Sequence, residues 1–128
     1  MVDRYIFYGN RYMNYEPMIS YHCYNYAIRH GCQDQTIFFK MNQLKIGIQT
    51  LIEDQQLQNE YLIEFIQKHY LESQQLLSTN TEKAMFTFLL VVDLIDLLSE
   101  IGMVPMDMMN ARAFIVNQGY IPQGMNVN

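Results

Sequence analysis

The sequence predicts a mostly α-helical fold, a compact bundle of four to five helices with a short N-terminal β-hairpin or extended arm. Apolar residues recur at helical spacing between residues 34 and 77. Residues 84–92 are apolar almost all round, which is typical of a central helix. With 128 residues, half of them apolar, the chain is expected to form one helical domain, residues 1–128, with a substantial hydrophobic core.

The N-terminal residues 1–16 are rich in tyrosine and allow two interpretations. Gly9-Asn10 separates two short aromatic segments, as in a β-hairpin, and aromatic residues favour strands. The tyrosines, however, recur at steps of three, four and three residues, which is helical spacing: Tyr5, Tyr8, Tyr12 and Tyr15. Because glycine weakens the interior of a helix, we expect a hairpin or an extended arm here.

The middle of the chain carries clear helix signals. Pro17 suits the first turn of a helix and Gly31 its end, so the segment between them is predicted to be helical. Asp34 is a candidate N-cap for the next segment, whose apolar stripe comprises Ile37, Met41, Leu44, Ile48 and Leu51. Residues 34–77 are expected to form one long helix or two, and typical helix lengths favour a break near Gln56–Asn59.

The C-terminal half is predicted to hold two further helices. Thr79 and Glu82 have the spacing of a capping box in front of a helix at about 81–101. Glycine and proline should mark the end of that helix and both ends of the next one, at Gly102, Pro105 and Gly119. Residues 123–128 are expected to be a loose tail.

The charge is unevenly distributed along the chain, whose net charge is −5. Residues 1–45 carry five bases and three acids, whereas residues 46–128 carry three bases and ten acids. The acidic part disfavours nucleic-acid binding by the chain as a whole and suits a protein partner with a basic surface. Only 16% of the residues are charged, which favours self-association, so a second copy of the chain, in a homodimer, is the other partner that the composition suggests.

The sequence carries no membrane or secretion signal that we recognise. Its longest apolar run, Ala84–Val92, is well short of a bilayer span, and the N-terminus lacks the apolar segment of a secretory signal. Two cysteines do not make a disulfide framework. We therefore expect no membrane association and a reduced, cytoplasmic setting.

No motif predicts catalysis, and no metal or cofactor site is expected. His22 and Cys23 point about 100° apart on a helix. With His30 and Cys32 they match no zinc-finger spacing. Three carboxylates share one helical face, which we expect to be solvated or to contact a basic partner: Asp93, Asp96 and Glu100. The predicted protein is not an enzyme.

Tyrosines and C-terminal methionines are the candidate contact residues. Tyrosine offers rigid area with a polar tip, and methionine adapts to irregular surfaces. The predicted partner-binding residues are Tyr5, Tyr8, Arg11, Tyr12, Tyr15, Met106 and Met109. The expected function is that of a non-enzymatic protein–protein interaction module, such as a small inhibitor, an immunity-type factor, an adaptor or an assembly subunit.

Nucleic-acid binding is the alternative function. Tyrosines interleaved with arginines in the N-terminal segment could stack on bases, and residues 97–119 have the outline of a weak helix-turn-helix. The second helix of that motif offers Arg112 as its one base, whereas a helix in the major groove needs several phosphate anchors. Nucleic-acid binding therefore ranks second.

Overall fold

The computed structural model describes residues 2–127, and this part of the chain is α-helical without a strand. Its seven helices are α1 (Val2–Tyr12), α2 (Pro17–Arg29), α3 (Gln35–Gly47), α4 (Gln49–Ile52), α5 (Gln55–Leu76), α6 (Thr81–Ile101) and α7 (Met106–Gln118). The contacts group the chain into two compact units, Met1–Gln58 and Asn59–Asn128, with the boundary in the first turn of α5. The expectation of a single domain stays a prediction.

The predicted N-terminal hairpin or extended arm is wrong, and with it the count of four to five helices. Gly9, which we assigned to a turn, lies inside α1, where the ring of Tyr24 packs so closely that a Cβ would clash with it. The Ser20 hydroxyl donates to the carbonyl oxygen of Gly9 (2.6 Å), and the Tyr24 hydroxyl donates to Asn10 Oδ1 (2.6 Å). Gly9 and Asn10 thus both contact α2. The contact at Gly9 requires a residue without a side chain.

The start of α2 and the start of α3 confirm the local helix signals. Pro17 occupies the first turn of α2, and the chain leaves the helix through Gly31, whose φ of 110° favours glycine. Asp34 caps α3, because its Oδ1 accepts a hydrogen bond from the Thr36 amide (2.8 Å). These helix boundaries are set by residues adjacent in sequence, so they can be predicted from the sequence alone.

The stretch from α3 to α5 contains two breaks, and the second lies just before the predicted position at Gln56–Asn59. The first follows Gly47, at Ile48, and the second lies between Ile52 and Gln55. Asp54 caps α5 by accepting a hydrogen bond from the Leu57 amide (3.0 Å). Three helices therefore replace the one or two predicted.

The second unit contains the long apolar helix α6, which begins and ends where predicted. Its N-cap is Asn80, whose Oδ1 accepts from the Lys83 amide (3.1 Å), so the capping box predicted at Thr79 and Glu82 is wrong by one residue. Residues 87–95 of α6 are all buried. An aromatic contact joins α6 to the segment after α7, because the ring of Phe88 stacks on that of Tyr120 (5.1 Å between centroids).

The last helix, α7, starts directly after Pro105 and ends at Gly119, as predicted. Gly119 has a φ of 71°, the left-handed conformation in which helices commonly end. Residues 120–127 continue without a helix, and Asn128, the end of the predicted tail, lies outside the described residues. No helix between residues 2 and 127 has the length and apolarity required to cross a membrane.

Candidate functional site

Three of the predicted contact tyrosines lie inside the first unit. Tyr5 is 0% exposed, Tyr8 6% and Tyr12 8%, because the tyrosine-bearing face of α1 packs against α2. The ring of Tyr26 stacks on Tyr5 on one side (3.9 Å) and on His30 on the other (4.0 Å). As folded, these tyrosines form an aromatic core and leave little surface for a partner.

The other predicted residues of the N-terminal segment are exposed. Tyr15 is 81% exposed, and its position is fixed by the turn between α1 and α2, where its amide donates to the Tyr12 carbonyl oxygen (3.1 Å). Arg11 is also exposed, with its guanidinium 5.5 Å from the centre of the Tyr12 ring. The surface that this segment offers is therefore the turn and the exposed side of α1, not the tyrosine-bearing face of the helix.

An open cleft of about 410 Å³ lies beside this turn, within the first unit. Its wall is formed by the turn, the start of α2 and one face of α3, with the lining residues Met13, Asn14, Pro17, Phe39, Lys40, Gln43, Leu44, Gly47 and Ile48. The volume falls in the range of ordinary ligand-binding pockets, and the lining is mostly apolar. We name it the α3 cleft.

The composition of α3 explains why the cleft is open and apolar. Lys40, Leu44 and Gly47 lie at steps of four and three residues, so they share one face of the helix. Gly47 has open space where a side chain would stand. Phe39, another lining residue, is 64% exposed and adds an aromatic ring to this apolar surface.

Lys40 supplies the polar character of the α3 cleft. It is the one ionisable side chain among the nine described lining residues. Its ammonium donates to Asn10 Oδ1 (3.2 Å), the same oxygen that accepts from Tyr24, so its position is tied to the contact between α1 and α2. The cleft therefore combines an apolar wall with a positioned cation, which favours a ligand carrying both an apolar group and a carboxylate.

Sequence reasoning missed the α3 cleft because its lining is spread over three elements. Phe39 carried a signal, since it lies off the apolar stripe of α3 that includes the buried Ile37. An exposed aromatic residue that adjoins other apolar residues in one patch is a candidate for a binding surface. The turn that completes the cleft could not be located while residues 1–16 were interpreted as a hairpin or arm.

The methionines of α7 are divided between two faces. Met106 is 70% exposed and Met109 54%, whereas Met108 is 3% exposed. Met108 shares its buried face with Ala111 and Ile115. Both predicted methionines thus lie on the exposed face of the helix.

The histidines and cysteines do not form a ligand set. His22 and Cys23 are buried, and no group of three His, Cys, Asp or Glu residues between residues 2 and 127 is arranged to hold a metal ion. Burial lowers the pKa of His22 from 6.5 to about 4, and the nearby Arg29 acts in the same direction. Gln58 opposes this shift but falls short of a hydrogen bond to the ring, and its amide nitrogen donates to the Ile52 carbonyl oxygen (2.5 Å).

The acidic face predicted on α6 is only partly solvated. Asp93 is 1% exposed, so its predicted position on a solvated face is wrong. Asp96 accepts two hydrogen bonds from the Arg112 guanidinium (2.7 and 3.1 Å), and Glu100 is exposed. Arg112, the base on which the helix-turn-helix interpretation depends, is thus engaged by a carboxylate and offers less charge to a phosphate.

No protein-family model matches the chain, and no curated protein matches it significantly.

Proposed function

We propose that the protein is a non-enzymatic interaction module that binds a partner protein in the α3 cleft. The observation that carries this proposal is the combination of a concave, mostly apolar surface with an exposed aromatic residue, Phe39, at its rim. Aromatic residues beside a pocket are common anchors of protein interfaces. Tyr15 directly follows the lining residue Asn14 and adds a second exposed ring to the same region.

The chemistry of the cleft favours a partner segment with an apolar side chain next to a carboxylate. The apolar side chain would bury against the wall at Leu44 and Ile48, and the carboxylate would accept a hydrogen bond from Lys40. The match to a basic partner that the composition suggests concerns the acidic residues 46–128 and stays a separate prediction. A steric inhibitor, an immunity-type factor, an adaptor or an assembly subunit in the cytoplasm would each use such a cleft.

An affinity experiment with matched variants tests the proposal. The wild type and three variants are immobilised and incubated with lysate of the native host, and bound proteins are quantified by mass spectrometry. Phe39→Ala and Lys40→Glu alter the cleft. Leu71→Ala removes a side chain of similar exposure (57%) from α5 in the second unit and is the control.

A cleft-bound partner should be retained by the wild type and by Leu71→Ala. Loss of an aromatic anchor costs about 2 kcal/mol or more, which is roughly a thirtyfold loss of affinity. Phe39→Ala and Lys40→Glu should therefore lose the partner while their circular dichroism stays that of the wild type. Equal capture by all four proteins would contradict the proposal.

A further inference from the structure

The exposed face of α7 carries a second apolar surface, far in sequence from the α3 cleft. Among the described residues, six of the thirteen exposed large hydrophobic side chains fall between residues 103 and 125. Four exposed apolar residues of α7 recur at steps of three, four and three, which is the spacing of a helix–helix seam: Met106, Met109, Ala113 and Val116. We call this set the α7 stripe.

The α7 stripe faces away from the buried side of its own helix. At about 100° per residue, its four members span an arc of about 80°. The buried residues Met108, Ala111 and Ile115 span a separate arc centred about 150° away. One face of α7 therefore packs within the second unit, and the opposite face has the helical spacing of a second packing seam and is exposed among residues 2–127.

The neighbours of the α7 stripe carry little charge. Asn110 and Asn117 border it on one side, and Arg112 on the other side is paired with Asp96. Asp107 stands in the first turn, near one end of the helix. A surface with so little charge does not select a strongly acidic or basic partner, and it does not repel a copy of itself although the chain has a net charge of −5.

The order of side chains in the stripe is self-complementary about its midpoint. In an antiparallel pair of α7 helices centred on residue 111, Met106 faces Val116 of the other copy, and Met109 faces Ala113. Each large, flexible side chain meets a smaller one, which lets the helices approach. The two Asp107 carboxylates then lie at opposite ends of the pair, and the helix dipoles oppose each other favourably.

We propose that the α7 stripe is a homodimerisation surface, in which two copies of the chain pair antiparallel through α7. A 13-residue helix is about 20 Å long. A single seam of this length buries less than the roughly 1,200 Å² typical of stable interfaces. We therefore expect a weak dimer whose population depends on concentration.

Sedimentation equilibrium of the purified protein over a concentration series measures this association. The wild type should rise from its monomer mass of 15.2 kDa toward twice that mass. Met109→Glu places two carboxylates in the seam and should weaken association at least tenfold. Leu71→Glu introduces the same charge at an exposed site on α5 and should dimerise like the wild type.

Cysteine cross-linking tests the antiparallel register and distinguishes it from other pairings. In a background in which Cys32 is replaced by serine, Met109→Cys and Ala113→Cys are mixed and oxidised. Residue 109 faces residue 113 of the other copy, so the mixed cross-linked dimer should exceed either cross-linked homodimer severalfold. Mild oxidation of each variant alone provides the reference.

Three results would overturn the proposal. The first is a wild type that stays at the monomer mass throughout, as expected if the stripe binds a different protein. The second is a Met109→Glu variant that associates like the wild type, and the third is a mixed cross-link only about twice as abundant as either homodimer, which is the ratio that random pairing of an equimolar mixture gives. None of these outcomes bears on the α3 cleft, whose altered residues, Phe39 and Lys40, lie in the first unit.

Discussion

The tyrosines at residues 5–15 and the α7 stripe both recur at steps of three, four and three residues, yet one set is largely buried and the other is exposed. Tyr5, Tyr8 and Tyr12 lie on one face of α1 and are buried against α2, whereas Tyr15 lies in the turn after the helix and is exposed. In α7 one methionine is buried and two are exposed on the opposite face. The same periodicity therefore indicates a core in one helix and a surface in the other.

The difference follows from the chemistry of the two side chains. A tyrosine ring is large and rigid and has a hydroxyl that needs a partner, so its burial requires another ring and a polar group in fixed positions. The first unit supplies both, as in the stack of Tyr5 on Tyr26 and the bond from Tyr24 to Asn10. Methionine is flexible and has no such requirement, so it can stay exposed and adapt to a second surface.

The largest expected effect on stability comes from replacing a buried residue by alanine. Each buried residue is compared with an exposed residue of the same type, which tests the comparison directly. Tyr5→Ala should lower the free energy of unfolding by about 3–5 kcal/mol, and Met108→Ala by about 2–5 kcal/mol, because each leaves a cavity. Tyr15→Ala and Met109→Ala should change it by less than about 0.5 kcal/mol. Urea unfolding followed by far-ultraviolet circular dichroism measures all four; an unchanged midpoint for Tyr5→Ala would break the comparison.

The helix boundaries show how much of the fold the sequence determines. The caps at Pro17, Asp34, Gly102 and Gly119 act on adjacent residues, and the structure has each helix end at or within two residues of its predicted position. The helical periodicity of the tyrosines was also present in the sequence. It was outweighed by Gly9, because the reason for that glycine is a ring on another helix, 15 residues away.

The candidate site was less predictable, because exposure depends on partners distant in sequence. The predicted set mixed buried tyrosines with the exposed Tyr15, Arg11, Met106 and Met109, since residue type alone does not tell a core from a surface. Burial of Asp93 likewise depends on its surroundings in the fold. The α3 cleft needed the turn after α1, which becomes visible only when α1 is known to be a helix.

Acid should lower the free energy of unfolding through His22 in the first unit, and the expected effect is of intermediate size. The imidazole of His22 takes a proton near pH 6.5 in the unfolded chain and near pH 4 when folded, because burial lowers its pKa. Between these values the unfolded state binds more protons, so stability falls as the pH falls, by up to about 3 kcal/mol. The buried face of α7, which consists of Met108, Ala111 and Ile115, has no titrating group to contribute.

Urea midpoints measured between about pH 7 and pH 4 test this prediction. His22→Gln removes the titrating ring and should flatten the dependence over that window. The same slope in the wild type and in His22→Gln would show that another group dominates.

The smallest expected effect comes from Gly9→Ala. The sign of the change in the free energy of unfolding shows how tightly α1 and α2 pack. Alanine is favoured over glycine inside a helix by about 1 kcal/mol. At Gly9, however, a Cβ would clash with the buried ring of Tyr24, and overpacking costs about 1–3 kcal/mol. Displacing that ring also strains its hydrogen bond to Asn10, which contributes about 1 kcal/mol, so we expect a net loss of about 1–2 kcal/mol.

Gly47→Ala is the matched control, because Gly47 also lies in a helix but has no atom near its Cβ position. It should raise the free energy of unfolding by a few tenths of a kcal/mol to about 1 kcal/mol. Opposite signs for the two substitutions would show that α1 depends on close contact with α2. If Gly9→Ala were stabilising as well, the tyrosine-bearing face of α1 would be loosely packed. That face and the exposed face of α7 would then differ less in packing than the comparison states.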